Sequence, residues 1–167
     1  MIRDVKLSDS ERITEIYNYY IENTIITFEE IIVSNEEIKS RIKKIQKQNY
    51  PYIIYEENNK LLGYAYVDKW RQRSAFDITL ETSIYIDKDY LNKGIGKVLY
   101  KELIDRTKKL NIHSLVGVIS IPNKPSRKLH QELGFQLIGN FREVGIKFNQ
   151  LIDVEFWQLN LSKYEQF

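Results

Sequence analysis

The sequence predicts a mixed α/β (α+β) domain of about seven strands flanked by four helices, and three observations predict it. Apolar residues recur with period two in some stretches and with a period near 3.6 in others. The resulting order is strand, two helices, three strands, helix, strand, helix, two strands, which is not the regular alternation of a doubly wound parallel sheet. The 167 residues, 43% hydrophobic and 29% charged, suffice for one core and leave too few residues for another, so residues 1–167 are read as one domain.

Ile2 to Leu7 alternates apolar and polar residues and reads as a short strand. Ser8-Asp9-Ser10-Glu11 carries helix-capping side chains and early acids. Ile13, Ile16, Tyr17, Tyr20 and Ile21 follow at helical spacing. Ser34 with Glu37 three residues later is a capping box, and Ile38, Ile42 and Ile45 continue one apolar face until Pro51. Tyr52 to Tyr55 and Leu61 to Val67 read as two strands of a hairpin turned at Asn58-Asn59. In Ile78 to Ile86, strict alternation puts Ile78, Leu80, Thr82, Ile84 and Ile86 on one face and Thr79, Glu81, Ser83 and Tyr85 on the other. A helix is expected from about Gly96 to Leu110, with Val98, Leu99, Leu103 and Ile104 as its apolar stripe. Leu115 to Ile119 is a strand; Asn123 to Leu133 is a helix closed by Gly134; Phe135 to Gly145 and Ile152 to Leu161 are the last two strands.

Composition excludes several functions. Cysteine is absent, which removes disulfides, thiolate nucleophiles and cysteine-ligated metals and fits a reducing compartment. The net charge of +2 is too small for nucleic-acid binding to follow from charge alone. With two histidines, His113 and His130, a histidine-rich site is out and no metal is expected. No apolar run approaches the roughly 20 residues of a membrane helix, and the N-terminus lacks the apolar core of a signal peptide. A soluble, cytoplasmic protein is expected.

The segment Ile84 to Lys97 holds the chemistry. A strand runs into a loop containing Gly94 and Gly96, and the loop opens a helix. A helix start exposes unpaired N–H groups and the positive end of the dipole, and glycines let an anion approach them. Lys93 and Lys97 add charge, so the segment reads as a phosphate or diphosphate cradle, or else as a plain glycine turn. Leu99 stands where a dinucleotide fingerprint needs its third glycine, and the Gly-Lys-Ser/Thr ending of a P-loop is missing.

Leu91-Asn92-Lys93-Gly94-Ile95-Gly96 resembles the Gln/Arg-x-x-Gly-x-Gly/Ala motif with which the GNAT family of N-acetyltransferases grips the diphosphate of acetyl-coenzyme A. Both glycines match, and Leu91 replaces the usual Gln or Arg. Downstream, Asn123, Ser126, Gly134 and Phe135 resemble that family's second motif, with His130 where many relatives carry tyrosine. Ile16 to Thr24 with Phe28, Trp70 to Phe76, Thr79 to Ile86 and Asp153 to Leu159 are similar to the phosphinothricin and methionine sulfoximine N-acetyltransferases within the family. The resemblance spans nearly the whole chain. It implies a mostly antiparallel sheet splayed at the cofactor site, and acetyl transfer from acetyl-coenzyme A to the α-amino group of a small L-amino acid with a polar or anionic side-chain end.

The resemblance also implies roles. Glu81 is the general base for the amine, where the pattern alone also allows a solvated strand face. His130 protonates the leaving thiolate or orients substrate or cofactor, or is a locally bonded helix histidine; Tyr100 is the runner-up acid or a core residue. Ile84, Tyr85 and Ile86 bind the pantetheine arm through backbone, and an N–H there polarises the thioester carbonyl. Asn92, Lys93, Gly94, Ile95, Gly96 and Lys97 hold the diphosphate. Asn123 and Ser126 meet the pantetheine arm, Asn123 serving also as a helix cap. Arg71 and Arg73 recognise the anionic end of the substrate, or form a solvated turn, and Phe28 is an apolar wall. Trp157 and Phe156 give the late strands an apolar character consistent with a homodimer. The alternatives are acetylation of a polyamine, an antibiotic or a protein N-terminus, and a non-catalytic acetyl-coenzyme A sensor.

Overall fold

The computed structural model describes residues 1–161. They form seven strands and four α-helices: β1 (Ile2–Asp4), α1 (Ser10–Asn23), α2 (Asn35–Lys47), β2 (Tyr52–Glu57), β3 (Lys60–Lys69), β4 (Thr79–Ile86), α3 (Ile95–Thr107), β5 (Ser114–Ile121), α4 (Lys124–Glu132), β6 (Gln136–Lys147) and β7 (Gln150–Asn160). One sheet holds all seven strands in the order β1-β2-β3-β4-β5-β7-β6. The pairs are antiparallel except β4 with β5, which are parallel.

Each face of the sheet carries its own core. Leu80, Ile86, Leu99, Leu103, Ile119 and Trp157 pack on the α3 side. Ile13, Tyr17, Ile42, Ile54 and Tyr64 pack on the α1–α2 side. The alternation of β4 accounts for this division, since Leu80, Thr82 and Ile86 are buried toward α3 while Tyr85 meets Tyr17 edge-on and stacks with Tyr64 on the other face.

Several boundaries differ from expectation for local reasons. The first strand stops at Asp4, because a 3-10 turn at Leu7–Asp9 follows, held by the Asp9 carboxylate on the Lys6 amide (2.7 Å) and on the Arg3 guanidinium. The first helix therefore opens at Ser10. In α3, Val98 is 55% exposed and does not belong to the apolar stripe; Ile95, Leu99, Tyr100, Leu103 and Ile104 fill the buried arc, and the 3.6-residue period turns Val98 to the opposite side. Trp157 is 2% exposed, its ring 6.2 Å from that of His130, so it belongs to the core and not to an association surface.

The feature that positions the site is the parting of β4 and β5. Their pairing ends at Thr82 with Gly117, although β4 continues to Ile86 and β5 to Ile121. Past that point the two strands leave an opening in the middle of the sheet.

Candidate active site

A cavity of about 280 Å³ lies at this opening. Glu81, Ser83 and Tyr85 of β4 reach it from the α1–α2 face, and Tyr100, Asn123, Ser126 and His130 from the α3–α4 face. The loop after α1 closes one side through Ile26, Thr27 and Phe28. Lys147 at the end of β6 holds that loop by donating to the Thr27 carbonyl (2.7 Å), and the Tyr17 hydroxyl donates to Glu29 (2.9 Å).

Glu81 brings a carboxylate into the cavity. No hydrogen bond from the described residues engages it. Burial raises its pKa above the ordinary carboxylate value; the nearby Arg71 charge opposes the rise and Asp68 adds to it. This is the environment that moves a carboxylate toward use as a base.

His130, Tyr100 and Thr82 form a buried chain. The Nδ1 of His130 lies 2.8 Å from the Ser126 carbonyl, which can only accept, so Nδ1 carries the proton. Nε2 is then the acceptor for the Tyr100 hydroxyl at 3.1 Å, and Thr82 Oγ1 donates to the Tyr100 oxygen at 2.6 Å. Gly117 is required beneath the ring, because a Cβ there would sit 2.3 Å from Nε2. Burial lowers the His130 pKa to about 4, against a smaller rise from the Ser126 carbonyl. His130 is therefore neutral near pH 7. Burial also raises the pKa of Tyr100.

A groove of about 390 Å³ adjoins the cavity and shares Ile26, Ile84, Asn123 and Ser126 with it. Leu91, Asn92, Gly94, Gly96 and Lys97 line its far end. Gly94 caps α3 at φ +80°, a left-handed conformation suited to glycine, and nothing lies within 4 Å of where its Cβ would be. The first bond of the helix runs from Val98 N to Gly94 O (3.3 Å), so the amides of Ile95, Gly96 and Lys97 have no carbonyl one turn back. Such a bare helix start fits a diphosphate.

The remaining predicted residues divide clearly. Asn123 caps α4 by accepting from Ser126 N (3.1 Å) while lining both spaces. Tyr20 donates to the Ile86 carbonyl (2.5 Å), which fixes the end of β4. Phe28 lines the cavity and packs over Gly145 of β6. Lys97 pairs with Glu132 of α4 at the rim of the groove (2.8 Å). Lys93 turns aside, donating to the Asp89 carbonyl (3.1 Å) and lying over the Tyr90 ring. Arg71 and Arg73 are exposed and do not wall the cavity; the Arg71 guanidinium stacks on Trp70, 4.7 Å from the ring centre. The sequence reading missed Tyr66 and Thr82 as site residues. Tyr66 had no local signal, whereas the polar Thr82 among the apolar residues of its strand face was one.

The chain matches known proteins along nearly its whole length. The profile of the Acetyltransferase (GNAT) domain matches residues 2–156. A phosphinothricin N-acetyltransferase of Streptomyces viridochromogenes is 32% identical over 157 residues, covering 94% of this chain and 85% of that protein. An L-methionine sulfoximine/L-methionine sulfone acetyltransferase of Salmonella typhimurium is 32% identical over 163 residues, covering 98% and 95%. The structure of a Salmonella typhimurium acetyltransferase with its cofactor acetyl-CoA superposes with a TM-score of 0.97 at 32% identity, covering 99% of this chain and 96% of that one.

Proposed function

The chain belongs to the GNAT family of acetyltransferases, and on that premise we propose that it acetylates the α-amino group of a small L-amino acid with a polar or anionic side-chain end, of the phosphinothricin, methionine sulfoximine or methionine sulfone type. The observation that carries this reading is the free Glu81 carboxylate, set in one cavity with the end of β4 and continuous with the bare start of α3. The relatives named for these substrates support the choice of amine.

Acetyl-coenzyme A supplies an acetyl thioester when bound. The amides at Ile95, Gly96 and Lys97, with Asn92 and Gly94 shaping the loop, hold its diphosphate. The backbone of Ile84 to Ile86, unpaired with β5, would hold the pantetheine arm and offer an N–H to polarise the thioester carbonyl. Asn123 and Ser126 border the arm on its other side. Glu81 takes the proton of the ammonium group, directly or through water, so that the nitrogen can attack. Holding the two reactants in line contributes up to roughly 7–11 kcal/mol. Neutral His130 accepts a hydrogen bond from the Tyr100 hydroxyl and fixes that side chain beside the cavity, and the departing thiolate takes its proton from water. Arg71, whose charge is felt at Glu81, and Arg73 attract the anionic end of the substrate, and Phe28 is its apolar wall.

The same reading takes residues 1–167 as one cytoplasmic domain that pairs with a second copy. Among the described residues no helix is long and apolar enough to cross a membrane. Support for pairing comes from β6, an edge strand that exposes Leu137, Ile138, Phe141, Val144 and Ile146. A thiol-release assay with acetyl-coenzyme A over small amino acids, polyamines and peptides tests the function. The expected result is turnover concentrated on amino acids with polar side-chain ends; turnover on polyamines or peptides alone would overturn it.

A further inference from the structure

Ser120 sits near the end of β5, three residues past the last pair between β4 and β5. Gly117 faces His130 and Ile119 belongs to the α3-side core, so alternation along β5 turns Val116, Val118 and Ser120 toward the face that carries Glu81. Ser120 is 3% exposed, and its hydroxyl has no hydrogen-bond partner among the described residues. It lines the cavity that holds Glu81 and does not line the groove that runs to Gly94.

No group of the described residues accepts this hydroxyl's proton, and other parts of the cavity wall are engaged elsewhere or apolar. Tyr17 donates to Glu29 and accepts from Thr27, while Phe28 and Val118 offer no polar atom. Buried hydroxyls in folded proteins are nearly always paired. The partner of this one is therefore to be sought in what the cavity binds.

We infer that the Ser120 hydroxyl donates a hydrogen bond to an oxygen on the side-chain end of the amine substrate, and so selects amino acids that end in a sulfone, sulfoximine, phosphinate or similar acceptor over those that end in a methyl or thioether. The inference rests on the amino-acid reading above and adds a residue that the sequence motifs do not contain. Glu81 and Ser120 then divide the substrate between them. The acceptor Glu81 meets the ammonium group, and the donor Ser120 meets the far oxygen.

The test compares L-methionine sulfone with L-methionine, which differ only at the side-chain sulfur, in the wild type and in Ser120→Ala. The expected result is a rise in KM for the sulfone of roughly three- to tenfold, the size of one neutral hydrogen bond. The KM values for methionine and acetyl-coenzyme A should be unchanged. Equal rises for both amino acids would place the hydroxyl on their common part and overturn the inference, as would a rise in the KM for acetyl-coenzyme A. No turnover of either amino acid by wild-type protein that binds acetyl-coenzyme A would instead overturn the amino-acid reading itself. Melting of the ligand-free proteins gives a second readout. Removing an unpaired buried hydroxyl should leave Tm unchanged or raised, and a lowered Tm would reveal a structural partner and refute the proposal. Ser120→Thr, which keeps a hydroxyl, should retain most of the preference for the sulfone.

Discussion

The Nε2 of His130 lies 3.1 Å from the Tyr100 hydroxyl and directly over Gly117, so that three elements, α3, α4 and β5, meet at one buried imidazole. Gly117→Ala would place a Cβ 2.3 Å from Nε2 and force the ring aside. Overpacking of this kind costs about 1–3 kcal/mol, so Tm should fall by several degrees. Turnover should fall with it, while acetyl-coenzyme A still binds; calorimetric melting and titration separate the two effects.

Burial also makes His130 a source of acid sensitivity. Its pKa is 6.5 in an unperturbed chain and about 4 in the folded protein. Between those values the unfolded state takes up a proton that the folded state does not. The stabilisation is complete above pH 6.5 and is lost as the pH falls toward 4, by roughly 3 kcal/mol in all. Denaturant melts from pH 7 to 4 should show this slope, and His130→Gln should flatten it.

Glu81→Gln should lower kcat about 10²- to 10⁴-fold with little change in either KM. In the wild type the ionised carboxylate is the active form and its pKa is raised, so the rate should fall on the acid side at a pH above the ordinary carboxylate value. Arg71 opposes that rise, so Arg71→Ala should move the acid limb to still higher pH. A pH–rate profile on saturating substrate checks both directions.

Gly94→Ala isolates the helix start. At φ +80° with open space around the missing Cβ, the substitution costs about 1–2 kcal/mol of backbone strain and creates no clash. The KM for acetyl-coenzyme A should rise severalfold, and the KM for the amine should hold, in initial-rate measurements with each substrate varied in turn.

The sequence was most informative where a short stretch decides the outcome. The glycine spacing at 94 and 96 located the bare helix start, and the period-two pattern of Thr79–Ile86 put Glu81 and Thr82 on opposite faces. Contacts between distant segments were harder to read. Thr82, Tyr100 and His130 belong to three separate elements, and although Thr82 stands out as polar on its strand face, the sequence does not say which partners it meets. The turn at Arg71 and Arg73 could be recognised as basic, but the Trp70 ring that draws the Arg71 guanidinium to one side acts only in three dimensions. Ser120 lies just past the apolar run Leu115 to Ile119 read as a strand, and its importance comes from what fails to reach it in the folded chain.

The most direct measurement is mass spectrometry of the product formed from acetyl-labelled acetyl-coenzyme A and L-methionine sulfone. The result predicted here is one acetyl label on the α-nitrogen per thiol released, with the protein itself unlabelled. A bound acetyl donor that yields no labelled amino acid, or a label that rests on the protein, would contradict direct transfer to the amine.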